Sequence, residues 1–202
     1  MKTRIGLMLA LMSALLASAL PAPYADSVTS PGTKPCGVDR WAVKTLSDLA
    51  ARKVNFEAQY ATIQSLTSEK RPIAKLASPK NRLSPLEYKT FKVRALIVGY
   101  KLESDRDFHI VIADPQNPGT TMVAEIPDPQ CDGAKASDHA EKYQSARSTL
   151  IHLLGPSQKG QFKSGNNVLV TITGVAFFDA IRGQTGAAAN GIELHPVLSI
   201  QQ

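Results

Sequence analysis

Apolar and polar positions alternate most cleanly near the end of the chain. Over 167–179, Val168, Val170 and Ile172 share one face, with Leu169, Thr171 and Thr173 on the other. Over 191–200, Ile192, Leu194, Leu198 and Ile200 point one way while Glu193, His195 and Val197 point the other. A period of two marks a strand with one face on a core. The two segments therefore predict a pair of strands, joined by a loop at 182–191 rich in glycine and alanine. Gly174 suits a bend, and Pro196 marks an edge or a bulge.

The same pattern runs upstream. Phe91, Val93, Ala95 and Ile97 alternate with Lys92, Arg94, Leu96 and Val98 to predict a long first strand ending near Leu102. A polar turn at 103–107 leads to a second strand, with Phe108, Ile110 and Ile112 opposite His109, Val111 and Ala113. Turn-forming residues at 114–119 precede a third strand at 121–126, which places Met122, Ala124 and Ile126 opposite Val123 and Glu125. At 140–154 the period changes. Ala140, Tyr143, Leu150, Ile151 and Leu154 recur at three and four, which predicts a helix. It opens on a capping-box spacing from Asp138 to Glu141 and stops at Gly155-Pro156.

The order is strand, strand, strand, helix, strand, strand. It predicts a mainly β (α+β) fold, a five-stranded OB-fold-like Greek-key barrel over 90–202 with its helix between strands 3 and 4. A two-layer α+β sandwich could use the same string. Strand order 1-2-3-5-4 would bring the second, third and fifth strands side by side.

The N-terminal part is organised differently. A basic head (Lys2, Arg4), an apolar run to Leu16 and Ala17-Ser18-Ala19 form the pattern of a cleaved signal peptide over 1–19, with a second candidate cut after Ala25. About a dozen apolar residues are too few to cross ~30 Å of hydrocarbon. Export implies a secreted or periplasmic location. Residues 26–89 read as a leader, a short helical appendage over 41–70 (with a possible short strand at 54–56) and an exposed basic linker at 70–89.

Charge and cysteines refine this picture. Without the leader, Lys plus Arg falls from 23 to 21 against 17 acids, a net of +4. That is mildly basic, short of a dedicated nucleic-acid protein, yet compatible with polyanion partners such as nucleic acid or an acidic polysaccharide. In an oxidising compartment, Cys36 and Cys131 favour a disulfide closing a loop of about 95 residues, worth about 4 kcal/mol. Two free thiols are the alternative, without Cys-x-x-Cys spacing.

Three sets of residues carry candidate chemistry. The binding surface expected of an OB-fold collects Lys92, Arg94, Arg106, His109, Glu125, Arg182, Gln184, Asn190 and His195. Within it, His109, Glu125 and His195, with Glu193 alongside, could form a metal or acid/base row, although ordinary solvated or satisfied side chains are the simpler explanation. A calcium-nuclease arrangement could recruit Asp105, Asp107, Arg94 and Arg106, but the Asp-Gly-Asp signature is missing. No Gly-x-Ser-x-Gly elbow or Walker A ending occurs. The pattern requires no cofactor and fixes no catalytic residue. It leads to an anion-binding protein first, with a metal-dependent phosphodiester hydrolase and an envelope protein-interaction module as alternatives.

Residues 175–197, with Gly183-Gln-Thr-Gly186 and Asn190-Gly-Ile-Glu-Leu-His-Pro-Val197, resemble the ending of a group of uncharacterised exported bacterial proteins. The stretches 40–45, 100–110 and 124–129 also resemble that group. The resemblance implies export and relatedness over most of the mature chain, without assigning an activity. Where the group carries His at the opening of the Gly-Gln-Thr-Gly loop, this chain has Arg182.

Overall fold

A computed structural model describes residues 36–37, 39–72 and 81–202. The expected signal peptide, the leader through 35 and the 73–80 part of the basic linker lie outside the described residues. All the elements named below lie in one compact unit, Lys34–Gln202.

The protein is mainly β. Its strands are β1 (Asn55–Ala61), β2 (Lys89–Leu102), β3 (Phe108–Asp114), β4 (Asn117–Ile126), β5 (Lys163–Phe178) and β6 (Ile192–Gln201), with helices α1 (Trp41–Lys44), α2 (Ile63–Thr67) and α3 (Ala140–Leu154). They form one sheet in the order β1-β2-β3-β4-β6-β5, and β2 also pairs with β5. Strands β2, β3, β4, β6 and β5 thus close into a ring in the neighbour order expected from the sequence.

The sheet has six strands where five are expected. β1 joins β2 in parallel, and most of its side chains are exposed. Without a buried face, Asn55–Ala61 carries little alternation to announce a strand, and only 54–56 stands out in the sequence.

Inside the ring, Val93, Ala95 and Ile97 of β2 meet Ile110 and Ile112 of β3, Met122, Ala124 and Ile126 of β4, Ile172 of β5 and Leu194 of β6. Helix α3 packs against β6 and β4 and contributes Tyr143, Ala146 and Leu150. It begins without the expected capping box. His139 is the N-cap and makes no side-chain cap bond, while the Ser137 hydroxyl accepts the His139 N–H at 3.3 Å. The helix stops at Gly155 as predicted, where the Tyr100 hydroxyl donates to the carbonyls of Leu154 (2.7 Å) and Gly155 (2.9 Å).

Residues 81–89 do not form an exposed linker: Arg82, Leu86 and Glu87 are buried. A buried charge requires charged or hydrogen-bonding partners, and the N-terminal segment supplies them. Arg40 donates to Glu87 at 2.8 and 2.5 Å, while Leu83 and Phe178 give it backbone N–H bonds at 2.5 and 2.9 Å. Arg82 pairs with Asp48 at 2.7 Å and donates to the Val43 carbonyl at 3.2 Å. Polar composition here reflects internal pairing rather than exposure. The Cys36–Cys131 disulfide is formed, and the Trp41 indole donates to the Asp132 carbonyl at 2.5 Å. The segment before β1 is therefore fastened onto the ring.

Candidate functional site

The site lies on the face of the ring turned away from its core. Register places His109 of β3 opposite Glu125 of β4, and Val123 of β4 beside Glu193 of β6. Two residues further along β6, His195 points to the same side. The row expected from the sequence is real, but it is not solvated. His109 is 1% exposed, His195 0% and Glu193 5%. The cover consists of Lys44 from α1 and the loop that joins β5 to β6.

That loop is held in place at several points. The Asn190 side chain donates to the carbonyls of Leu66 (2.9 Å) and Glu69 (3.0 Å) and accepts the Ile192 N–H at 3.1 Å. Arg71 donates to the carbonyls of Asn190 and Asp179. Gly186 has φ +80 and passes so close to Val111 that a Cβ there would stand 2.4 Å from it. This close approach sets the neighbouring Thr185 carbonyl 3.0 Å from His109 Nε2.

Beneath this cover runs a chain of ionisable groups. Glu125 Oε1 lies 2.9 Å from His109 Nδ1, and its Oε2 lies 3.0 Å from His195 Nδ1. Glu193 Oε1 approaches the same His195 nitrogen at 3.1 Å. On the far side of that ring, His195 Nε2 faces Asp107 Oδ2 at 3.4 Å. His109 meets a carboxylate and a carbonyl, both acceptors, so making both bonds requires a proton on each nitrogen.

The electrostatics follow from this crowding. Burial opposes charge on His109, but its bond to Glu125, the Thr185 carbonyl and the nearby Glu103 raise its pKa. Burial opposes charge on His195 too, and Asp107, Glu125 and Glu193 together lift it well above the usual histidine range. Glu125, although buried, is held well below the usual carboxylate range by the two imidazoles. Glu193 goes the other way: burial and the charge of Glu125 push it up to about 7. Burial pushes Asp107 up to about 6, against the opposing effect of His195. Lys44 is buried as well, yet Glu193, Glu125, Asp179 and Asp107 keep it charged. Two neighbouring glutamates are thus shifted in opposite directions, an arrangement associated with functional sites.

A cleft of about 400 Å³ opens above this network. Six carboxylate residues line it: Asp39, Glu103, Asp105, Glu125, Asp179 and Glu193. The facing basic residues are Lys44, His109 and Arg182. Lys44 lies 3.5 Å from Asp179, and Arg182 pairs with Asp39 at 2.7 Å. Asp107 and His195 sit behind the cleft surface. One oxygen of Asp107, one of Glu125 and one nitrogen of His195 lie within 4.8 Å of one another, the compactness needed to hold a metal ion.

The residues expected to bind together divide into separate places. His109 and Glu125 form the cleft floor, Arg182 and Gln184 stand in its wall, and His195 lies behind it. Asn190 ties down the loop, and Arg106 pairs with Asp128 at 2.6 Å. Lys92 and Arg94 lie elsewhere on β2. Lys92 stands over Tyr60 of β1, 5.4 Å from its ring centre, and Arg94 is exposed. In the row read from the sequence, Asp107 replaces His109 as the third member of the compact triad. Lys44 and Asp39 were absent from that reading, because only tertiary folding brings them to the cleft. Their one sequence signal is the Cys36–Cys131 pair, which implies that the N-terminal segment returns to the ring. No family model, curated protein or solved structure matches the chain.

Proposed function

We propose that this is an exported bacterial binding protein with an OB-fold-like barrel, and that its cleft takes a small organic cation such as a polyamine. The observation that carries this reading is the charge of the cleft, where six carboxylate residues face three basic ones, and each of those three is already paired within the site. An amine entering this space meets carboxylates on both sides, in a partly enclosed setting where their attraction is screened less than on an open surface. Export is supported by the signal-peptide pattern, by the resemblance to exported bacterial proteins and by the disulfide. The barrel is supported by the closed strand ring and by the position of α3 between β4 and β5. Titration calorimetry with spermidine, cadaverine and putrescine tests the ligand class. Binding that weakens with salt and falls in Glu103→Gln and Asp105→Asn is expected, whereas no binding of any amine contradicts it.

A second reading has its own observation. Lys92 and Arg94 share the outer side of β2 with Tyr60, which is 85% exposed. A basic strand beside an exposed ring suits a polyanion such as single-stranded nucleic acid or an acidic polysaccharide. Heparin or oligonucleotide binding lost in Lys92→Glu/Arg94→Glu, and retained in Glu103→Gln, would place that activity on β2.

A further inference from the structure

We propose that Asp107, Glu125 and His195 form a site for one divalent transition-metal ion, with zinc the best match, behind the acidic cleft. The proposal rests on two atoms that lack what burial demands. Asp107 Oδ2 and His195 Nε2 are both buried, and neither makes a hydrogen bond among the described residues. They face each other at 3.4 Å. A charge-assisted bond between such groups normally closes to about 2.7–2.9 Å, and leaving both unsatisfied is costly. With zinc–ligand bonds of about 2.0–2.2 Å, two ligand atoms of a tetrahedral site stand about 3.4 Å apart. The observed gap is the edge of such a site.

The surrounding bonds fit the same arrangement. A metal-binding side chain usually has a second partner that fixes its orientation. Asp107 Oδ1 accepts the Asp128 N–H at 3.2 Å. Glu125 Oε1 is held by His109, which leaves Oε2 to turn from His195 toward the ion. His195 Nδ1 then keeps Glu193 as its partner, at 3.1 Å. All three ligands therefore have their outer partners in place. One imidazole and two carboxylates suit zinc, cobalt or manganese, whereas calcium prefers six to eight oxygens. Glu125 belongs to both the metal site and the cleft floor, whereas Asp107 and His195 lie behind the cleft.

The test uses tag-free mature protein, stripped with a chelator and titrated with Co²⁺ and Zn²⁺. One ion per chain, tetrahedral Co²⁺ absorption bands displaced by Zn²⁺, and a raised thermal midpoint are expected. Asp107→Asn and His195→Gln should each weaken binding at least a hundredfold, and Glu193→Gln about 10- to 100-fold. Glu103→Gln, a cleft-wall change, should leave metal binding intact while weakening amine binding. Wild-type protein that binds no Co²⁺, Zn²⁺ or Mn²⁺ at millimolar concentration overturns the proposal, as does unchanged affinity in folded Asp107→Asn and His195→Gln. If both ligand variants fail to fold, the wild-type Co²⁺ spectrum decides: octahedral bands or no bands overturn the site.

Discussion

Glu87 joins three parts of the chain through one carboxylate: Arg40 before α1, the Leu83 backbone and the Phe178 backbone at the end of β5. It is fully buried, so most of its contribution lies in keeping Arg40 and the two N–H groups satisfied. Glu87→Gln should cost about 3–5 kcal/mol, the usual penalty for removing one partner of a buried pair, measured as a lower urea midpoint. A loss below about 1 kcal/mol would place the pair among those that solvent can replace. At this scale the sequence is partly legible. His109, Glu125, Glu193 and His195 can be read as a row, because side chains alternate along strands and the strand order can be anticipated. Asp107 and Lys44 cannot be read that way, since neither lies on a ring strand. Nor can burial: a His or Glu on the non-core face is normally solvated, and only the cover of Lys44 and the β5–β6 loop encloses these.

Among the elements, that loop departs most from its sequence. Glycines and alanines at 182–191 suggest a flexible tip, yet it is anchored through Asn190, Arg71 and Thr185. Asn190→Ala removes three hydrogen bonds, one of them to the N–H of the buried Ile192. It should destabilise the protein by about 1–3 kcal/mol. It should also speed hydrogen exchange at 182–191 more than in β2, and equal protection in variant and wild type would mean that other contacts hold the loop. Long strands and α3 were legible because each buries one regular face. β1 was not, because it buries almost none, and 81–89 was misread because buried ion pairs use the same residue types as a solvated linker.

For the whole molecule, the disulfide connects the two things that matter, the ring and its cover. Cys36 lines the cleft, and its bond to Cys131 closes a separation of 95 residues. Replacing both cysteines with serine should cost about 4 kcal/mol through the entropy of the longer free chain. Amine affinity should fall as well, because the segment carrying Asp39 and Lys44 is less firmly held. Unchanged stability and affinity would show that Arg40, Trp41 and Arg82 suffice to fasten it. The chain is basic overall while its cleft is acidic, so net charge points toward polyanions and local geometry toward a cation. The most direct measurement is calorimetric titration of spermidine into the protein at low and high salt, beside Glu103→Gln/Asp105→Asn. The cleft assignment predicts one site that weakens with salt and is lost in the double variant. Absence of binding at low salt, or binding that the double variant retains in full, would contradict it.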